Sequence, residues 1–96
     1  MNGNKKILNF DKEKALIDKN CLSYGFNEGA DVRATDINID NSGSNFKVNY
    51  KGNTVPFWAK GAFDADHIYI VLKSITEAIV EGKNLVEISN NIKTAP

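Results

Sequence analysis

The chain has few of the residues that usually build catalytic or metal centres. Its 96 residues include one cysteine, Cys21, one histidine, His67, and one arginine, Arg33, against a total of 12 lysines and arginines. A lone cysteine excludes an intrachain disulfide framework. No apolar run approaches the roughly 20 residues that cross a bilayer, so no membrane partner is expected. The opening "MNGNKK" is followed only by Ile7 and Leu8 before polarity returns. No signal peptide is expected from such a start, and the cytoplasm is the expected compartment. Formal net charge is zero, which removes any global field steering the chain onto a polyanion or an anionic surface.

An apolar fraction of 42% is ordinary for a globular chain, and the length supports one core. A single domain over 1–96 is therefore expected. The fold class is α+β: a three-stranded antiparallel meander over about 34–41, 45–50 and 55–60, one main amphipathic helix over about 65–81 on its apolar face, and a short N-terminal helix. In "ILNFDKEKALIDKN", Asp11 offers an N-cap for a helix from Lys12 to about Lys19. "CLSYGFNEGADVR" reads as a connection holding some buried aromatics.

"ATDINIDN" and "NFKVNY" both alternate apolar and polar residues. A loop at Ser42-Gly43 pairs Ile39 with Phe46 and Ile37 with Val48, with Thr35 facing Tyr50 on the same apolar side. In the next hairpin a loop over Lys51–Thr54 pairs Tyr50 with Val55, Val48 with Phe57 and Phe46 with Ala59. This phase turns the nitrogen of Pro56 away from its partner strand, so the strand over 55–60 is expected at a sheet edge.

"AFDADHIYIVLKSITEAIVEG" carries an apolar stripe at helical spacing: Ile68, Val71, Leu72, Ile75, Ala78 and Ile79. Asp64 is its N-cap, Phe63 is placed to staple onto Ile68, and Gly82 ends it. The tail over 84–92 reads either as a strand through Val86 and Ile88 or as a helical turn through Leu85, Ile88 and Ile92, with the strand preferred.

The order helix, three strands, helix resembles that of double-stranded-RNA-binding domains. Three strands followed by a helix resembles arm-type integrase domains, which lay a sheet face in the major groove. The resemblance is one of element order. The basic cluster it implies at the start of the last helix is replaced here by "DADHIY". Asp36 and Asp40 add negative charge to the candidate sheet face, which works against phosphate binding.

A Cys21–His67 pair is the only thiol–base couple available, and an enzyme is not expected. Cys21 sits in apolar context, and His67 falls on the polar side of the main helix. Asp36, Asn38 and Asp40 have the spacing of a calcium loop but lack its terminal glutamate and its glycine. In a strand that spacing marks the solvated face. Gly25 and Gly29 lack the strand–helix context of a phosphate loop, so neither a cofactor nor a metal is expected.

What remains is Trp58, the sole tryptophan, on the polar phase of its strand. It could cover its own sheet by packing on the Lys47 stem, or lie beneath the N-terminal segment or the tail. As an interface anchor it would be ringed by Lys47, Asn49, Lys60 and Asn38, with Ile70 a second exposed apolar position on the helix. The expected function is non-enzymatic binding of another protein through this face. Size and AT-rich residue usage suggest a phage or mobile-element accessory protein that inhibits a larger host machine. A nucleic-acid-binding module using the Lys/Trp patch, or a homo-oligomeric subunit, are the alternatives.

Overall fold

In the computed structural model, which describes residues 6–16 and 20–94, the chain forms one mixed five-stranded sheet with its two longer helices packed over one face. The strands are β1 (Lys6–Asn9), β2 (Cys21–Gly25), β3 (Val32–Asp40), β4 (Gly43–Tyr50) and β5 (Asn53–Lys60), in that spatial order. β1, β2 and β3 run parallel to one another; β3, β4 and β5 form the antiparallel meander. The expected three-stranded sheet is thus the distal part of a larger one. "CLSYG" is a strand rather than a connection, and all five of its residues are buried. It lacks the alternation of a half-buried strand because polar and small residues occupy one of its two buried faces. The two added strands also depart from the element order of the RNA- and DNA-binding domains.

The short N-terminal helix, α1 (Phe10–Glu13), is capped by Asn9 and not by Asp11. The Asn9 carboxamide accepts the N–H groups of Asp11 and Lys12 at 2.9 and 3.1 Å. A 3₁₀ turn over Lys14–Leu16 follows, and the rest of the expected helix, 17–19, lies outside the described residues. Asp11 is left to bind the loop after β2 and the main helix. Its carboxylate accepts the Phe26 N–H at 2.8 Å, the Asn27 N–H at 3.3 Å, the Asn27 side-chain amide, and the Tyr69 hydroxyl at 2.6 Å. Tyr69 in turn stacks on Phe26, with ring centroids 4.5 Å apart.

The meander departs from the expected registers for two local reasons. Lys51 and Gly52 both have positive φ, 49° and 81°, which makes a tight type I′ turn between Tyr50 and Asn53. Phe46 therefore faces Phe57 and Val48 faces Val55, each shifted by two residues from expectation, so the apolar face is preserved. Counting alternate bonding pairs from Tyr50–Asn53 leaves Pro56, opposite Lys47, at a non-hydrogen-bonded pair. The proline is accommodated without the wide loop, and β5 is an edge strand.

In β3 a bulge between Thr35 and Asn38 sets two residues, Asp36 and Ile37, against Phe46. Asp36 takes a left-handed φ of 53° there. The extra residue switches the alternation: Val32 and Ala34 point inward before it, Ile37 and Ile39 after it. Thr35 is consequently on the outer face, not beside Tyr50. Ile39 pairs with Ser44 at the tip and remains 46% exposed.

Gly43 closes the β3–β4 turn, whose Asp40 carboxylate accepts the Ser42 and Gly43 N–H groups. Its φ is 150°, and a Cβ would press into the carbonyl oxygen of Ala59 and the backbone of Lys60 and Gly61. Gly43→Ala is expected to cost about 1–3 kcal/mol in urea unfolding, the range for a residue forced into a glycine-only conformation. An unchanged midpoint would show that the turn has a different backbone.

α2 (Ala65–Val80) starts at Asp64, which accepts the His67 N–H at 3.0 Å. It ends in a Schellman motif: Lys83 N–H to Ala78 C=O and Gly82 N–H to Ile79 C=O, with Gly82 at φ 98°. Phe63 is 52% exposed. The tail is a helix, α3 (Leu85–Thr94), capped by Asn84, rather than a strand. Leu85, Ile88 and Ser89 are all buried, a helical spacing.

α2 also serves different strands from those expected. Its buried Ile68, Leu72 and Ile75 lie chiefly over β2, β1 and β3, while α3 covers β5. Together they close a core of Leu22, Tyr24, Val32, Ala34, Phe46, Val48, Phe57 and Ala59 from the inner sheet face. The two helices thus leave the outer face of β3–β5 without a helix upon it.

Candidate protein-binding face

Trp58 lies on that outer face and is half-buried. It faces Asn45 at a non-hydrogen-bonded pair, where cross-strand side chains come closest. Lys47, the expected partner, is a diagonal neighbour and sits opposite Pro56. Among the described residues no cation stands over the Trp58 ring; the cation–aromatic contacts are Lys12 on Tyr69, Lys14 on Phe10 and Lys51 on Tyr50. The N-terminal strand extends the opposite sheet edge and the tail packs on the inner face, so neither described element covers Trp58.

The structure brings five of the six expected site residues onto one face. Asn38, Lys47, Asn49, Trp58 and Lys60 all point outward from β3, β4 and β5. Ile70, 63% exposed, lies on the solvent side of α2, across the sheet from the others.

The polar groups around the tryptophan are already ordered by one another. Lys47 Nζ is 3.3 Å from Asp36. The Asn38 amide reaches the Asn45 side-chain oxygen at 3.5 Å, at the limit of a hydrogen bond. Asn49 donates to the Arg33 carbonyl at 3.2 Å and to Thr35 Oγ1 at 2.9 Å, and accepts from Thr54 Oγ1 at 2.7 Å. Asn49 is therefore a cross-strand clamp with little capacity left for a partner. Asn45 and Pro56, absent from the expected set, border Trp58 and Lys47 directly. The correct hairpin register would have exposed both, and it is hidden by a lysine in the first turn position.

The charge on this face is mixed. Lys47 and Lys60 share the face with Asp36 and Asp40, and Lys47 is paired with Asp36. A shallow hollow beside the bulge is lined by Asp36, Asn38, Asn45, Lys47 and Pro56.

The two residues of a thiol–base couple are kept apart. Cys21 is buried on the outer side of β2, with its thiol 3.9 Å from the Leu16 carbonyl. His67 lies in the first turn of α2, over the inner face, and its Nδ1 is 2.9 Å from Asp64. The His67 backbone N–H holds the Asp64 carboxyl below the usual range, overcoming a slight opposing effect of burial, and the imidazole contributes in the same direction. Among the described residues, no three potential metal ligands cluster. No described helix is long and apolar enough to cross a membrane.

Comparison with known folds finds the same architecture inside larger enzymes. Two crystal structures of MurF from Acinetobacter baumannii superpose with TM-scores of 0.69 and 0.66 at 20% and 22% identity. A structure of UDP-N-acetylmuramoylalanyl-D-glutamyl-2,6-diaminopimelate–D-alanyl-D-alanyl ligase from the same organism gives 0.69 at 18%. The likeness is one of fold. Each match covers 79% of this chain but only 16% of the ligase chain. No protein-family model and no curated protein matches the sequence.

Proposed function

We propose that this chain is a non-enzymatic protein-binding module whose contact surface is the outer face of β3–β5, centred on Trp58. One observation carries the reading: the sole tryptophan stands half-buried on a sheet face that no described helix or terminal segment covers. Its surroundings are pre-ordered amides and a Lys–Asp pair, the polar rim that surrounds hot-spot aromatics. A protein partner fits better than a nucleic acid, because Asp36 and Asp40 share the face with its lysines. The module has the fold of one part of a ligase, and the proposal assigns it no ligase chemistry. Its cellular setting in this reading is the cytoplasm, and its action is inhibition of a larger machine of which it occupies one surface.

The test compares wild type with Trp58→Ala. Crosslinking in lysate followed by mass spectrometry identifies the partner, and titration with the purified partner measures affinity. Truncation is expected to weaken binding by at least about 2 kcal/mol, roughly 30-fold, with little change in the urea midpoint. Lys60→Ala should have a smaller, salt-dependent effect. A partner bound equally well by the Trp58 variant would remove the anchor from this face. Loss of several kcal/mol of fold stability would make Trp58 a packing residue instead.

A further inference from the structure

The open edge of β5 presents a second recognition element, made of backbone rather than of the Trp58 ring. β5 is the outermost strand of the meander. Asn53, Val55 and Phe57 occupy the pairs that bond to β4, so Thr54, Pro56 and Trp58 turn their backbone groups away from the sheet. Thr54 offers an N–H and a carbonyl, Pro56 a carbonyl only, and Trp58 an N–H and a carbonyl. Among the described residues no strand pairs with this row, which makes it a template for another extended chain. Alongside its Thr54 end runs an open groove of about 950 Å³ between the β4–β5 hairpin and the start of α3. Tyr50, Val55, Ile79 and Leu85 contribute to its lining, together with Val86, which is 59% exposed despite being apolar.

We propose that this edge and groove bind an extended peptide segment of a protein partner, added as a further strand beside Thr54–Pro56, with apolar side chains at alternate positions. The backbone row selects an extended chain, because only a strand matches its spacing. The two-residue period of that strand directs every second side chain toward the groove and leaves the others on the outer-face side. Pro56 limits the length of the ladder: it supplies no N–H, so pairing runs from Thr54 to the Pro56 carbonyl and is interrupted there. The same interruption disfavours a second copy, since an antiparallel β5–β5 ladder centred on Trp58 would lose a bond at each proline.

This inference extends the protein-binding reading but fails separately from it, because the two use different atoms. The probes are synthetic peptides obtained by selecting a random dodecapeptide display library on the isotope-labelled full chain. The expected result is enrichment of peptides with apolar residues at every second position. Their amide shift changes should fall at Thr54–Trp58 and Leu85–Val86. Thr54→Pro, which removes an outward N–H in the phase already tolerated at Pro56, should weaken binding at least about tenfold; so should methylation of the facing peptide amides. Val86→Asp should weaken it comparably and carries the test with the methylated peptides if Thr54→Pro does not fold. The proposal is overturned if no peptide is enriched, or if methylated and unmodified peptides bind alike. It is also overturned by shifts confined to β1 or to Asn45, Lys47 and the Trp58 indole. A concentration-dependent dimer in sedimentation with shifts along β5 would assign the edge to a second copy and overturn it equally.

Discussion

Ile75→Ala is expected to destabilise the fold by about 2–5 kcal/mol in urea unfolding, against less than about 0.5 kcal/mol for Lys73→Ala. Ile75 has no solvent exposure and lies in the core that α2 forms with the inner sheet face. Truncation removes its apolar burial and leaves a cavity among neighbours held by five strands and two helices. Lys73, two residues away, is exposed and touches none of that core. The comparison tests packing rather than helix propensity, because alanine favours a helix at both positions. Equal effects would mean that α2 does not rest on the sheet through this stripe.

The second large effect is expected at Asp11. Asp11→Asn should cost about 2–4 kcal/mol at pH 7, since charge-assisted hydrogen bonds contribute roughly 1.5–3 kcal/mol each and an asparagine serves only part of the set. The carboxylate joins α1, the loop after β2, and α2 through Phe26, Asn27 and Tyr69. Burial alone would raise its pKa. The donated hydrogen bonds from Tyr69, Phe26 and Asn27 outweigh burial and hold it below the ordinary 3.8. A carboxyl whose folded pKa is depressed contributes fully above its unfolded value and loses that contribution as pH falls through the folded one. The stability gap between wild type and Asp11→Asn should therefore be constant near neutrality and narrow progressively below about pH 4. A gap that stays constant down to pH 2.5 would show that Asp11 is not bonded as a carboxylate. Tyr69 has the opposite sense: burial and its bond to Asp11 raise its pKa above the ordinary tyrosine value, so its contribution is intact at neutral pH and is lost only in strong alkali.

Why the expected and observed sheets differ is clear from particular residues. β2 has no alternation to detect, because both of its faces are buried and Ser23 on one of them is satisfied by Asp31. Asp11 looks like an N-cap in sequence, but Asn9, two residues earlier, supplies the cap and frees the aspartate for contacts that are long-range in the chain. The β4–β5 register depends on Lys51 accepting a left-handed conformation, which its side chain disfavours and the hairpin twist rewards. The same register sets Asn45, and not Lys47, opposite Trp58.

The α+β class, the meander, the main helix with both of its caps, and the placement of Trp58 on the polar phase of its strand are all legible in the residue pattern. These are local properties: period-two alternation, a 3.6-residue stripe, a capping aspartate and a terminating glycine act within a few residues. The two parallel strands, the helical tail, the bulge at Asp36 and the pairing of helices with strands depend on long-range contacts. Parallel pairing joins segments separated by a loop and leaves no turn signal between adjacent strands. A bulge trades one extra residue for a switch of face that the pattern alone reads as a broken alternation. The exposure of the outer face was settled in the same way, by where α2 and α3 found their apolar partners, and that left Trp58 without a helix above it.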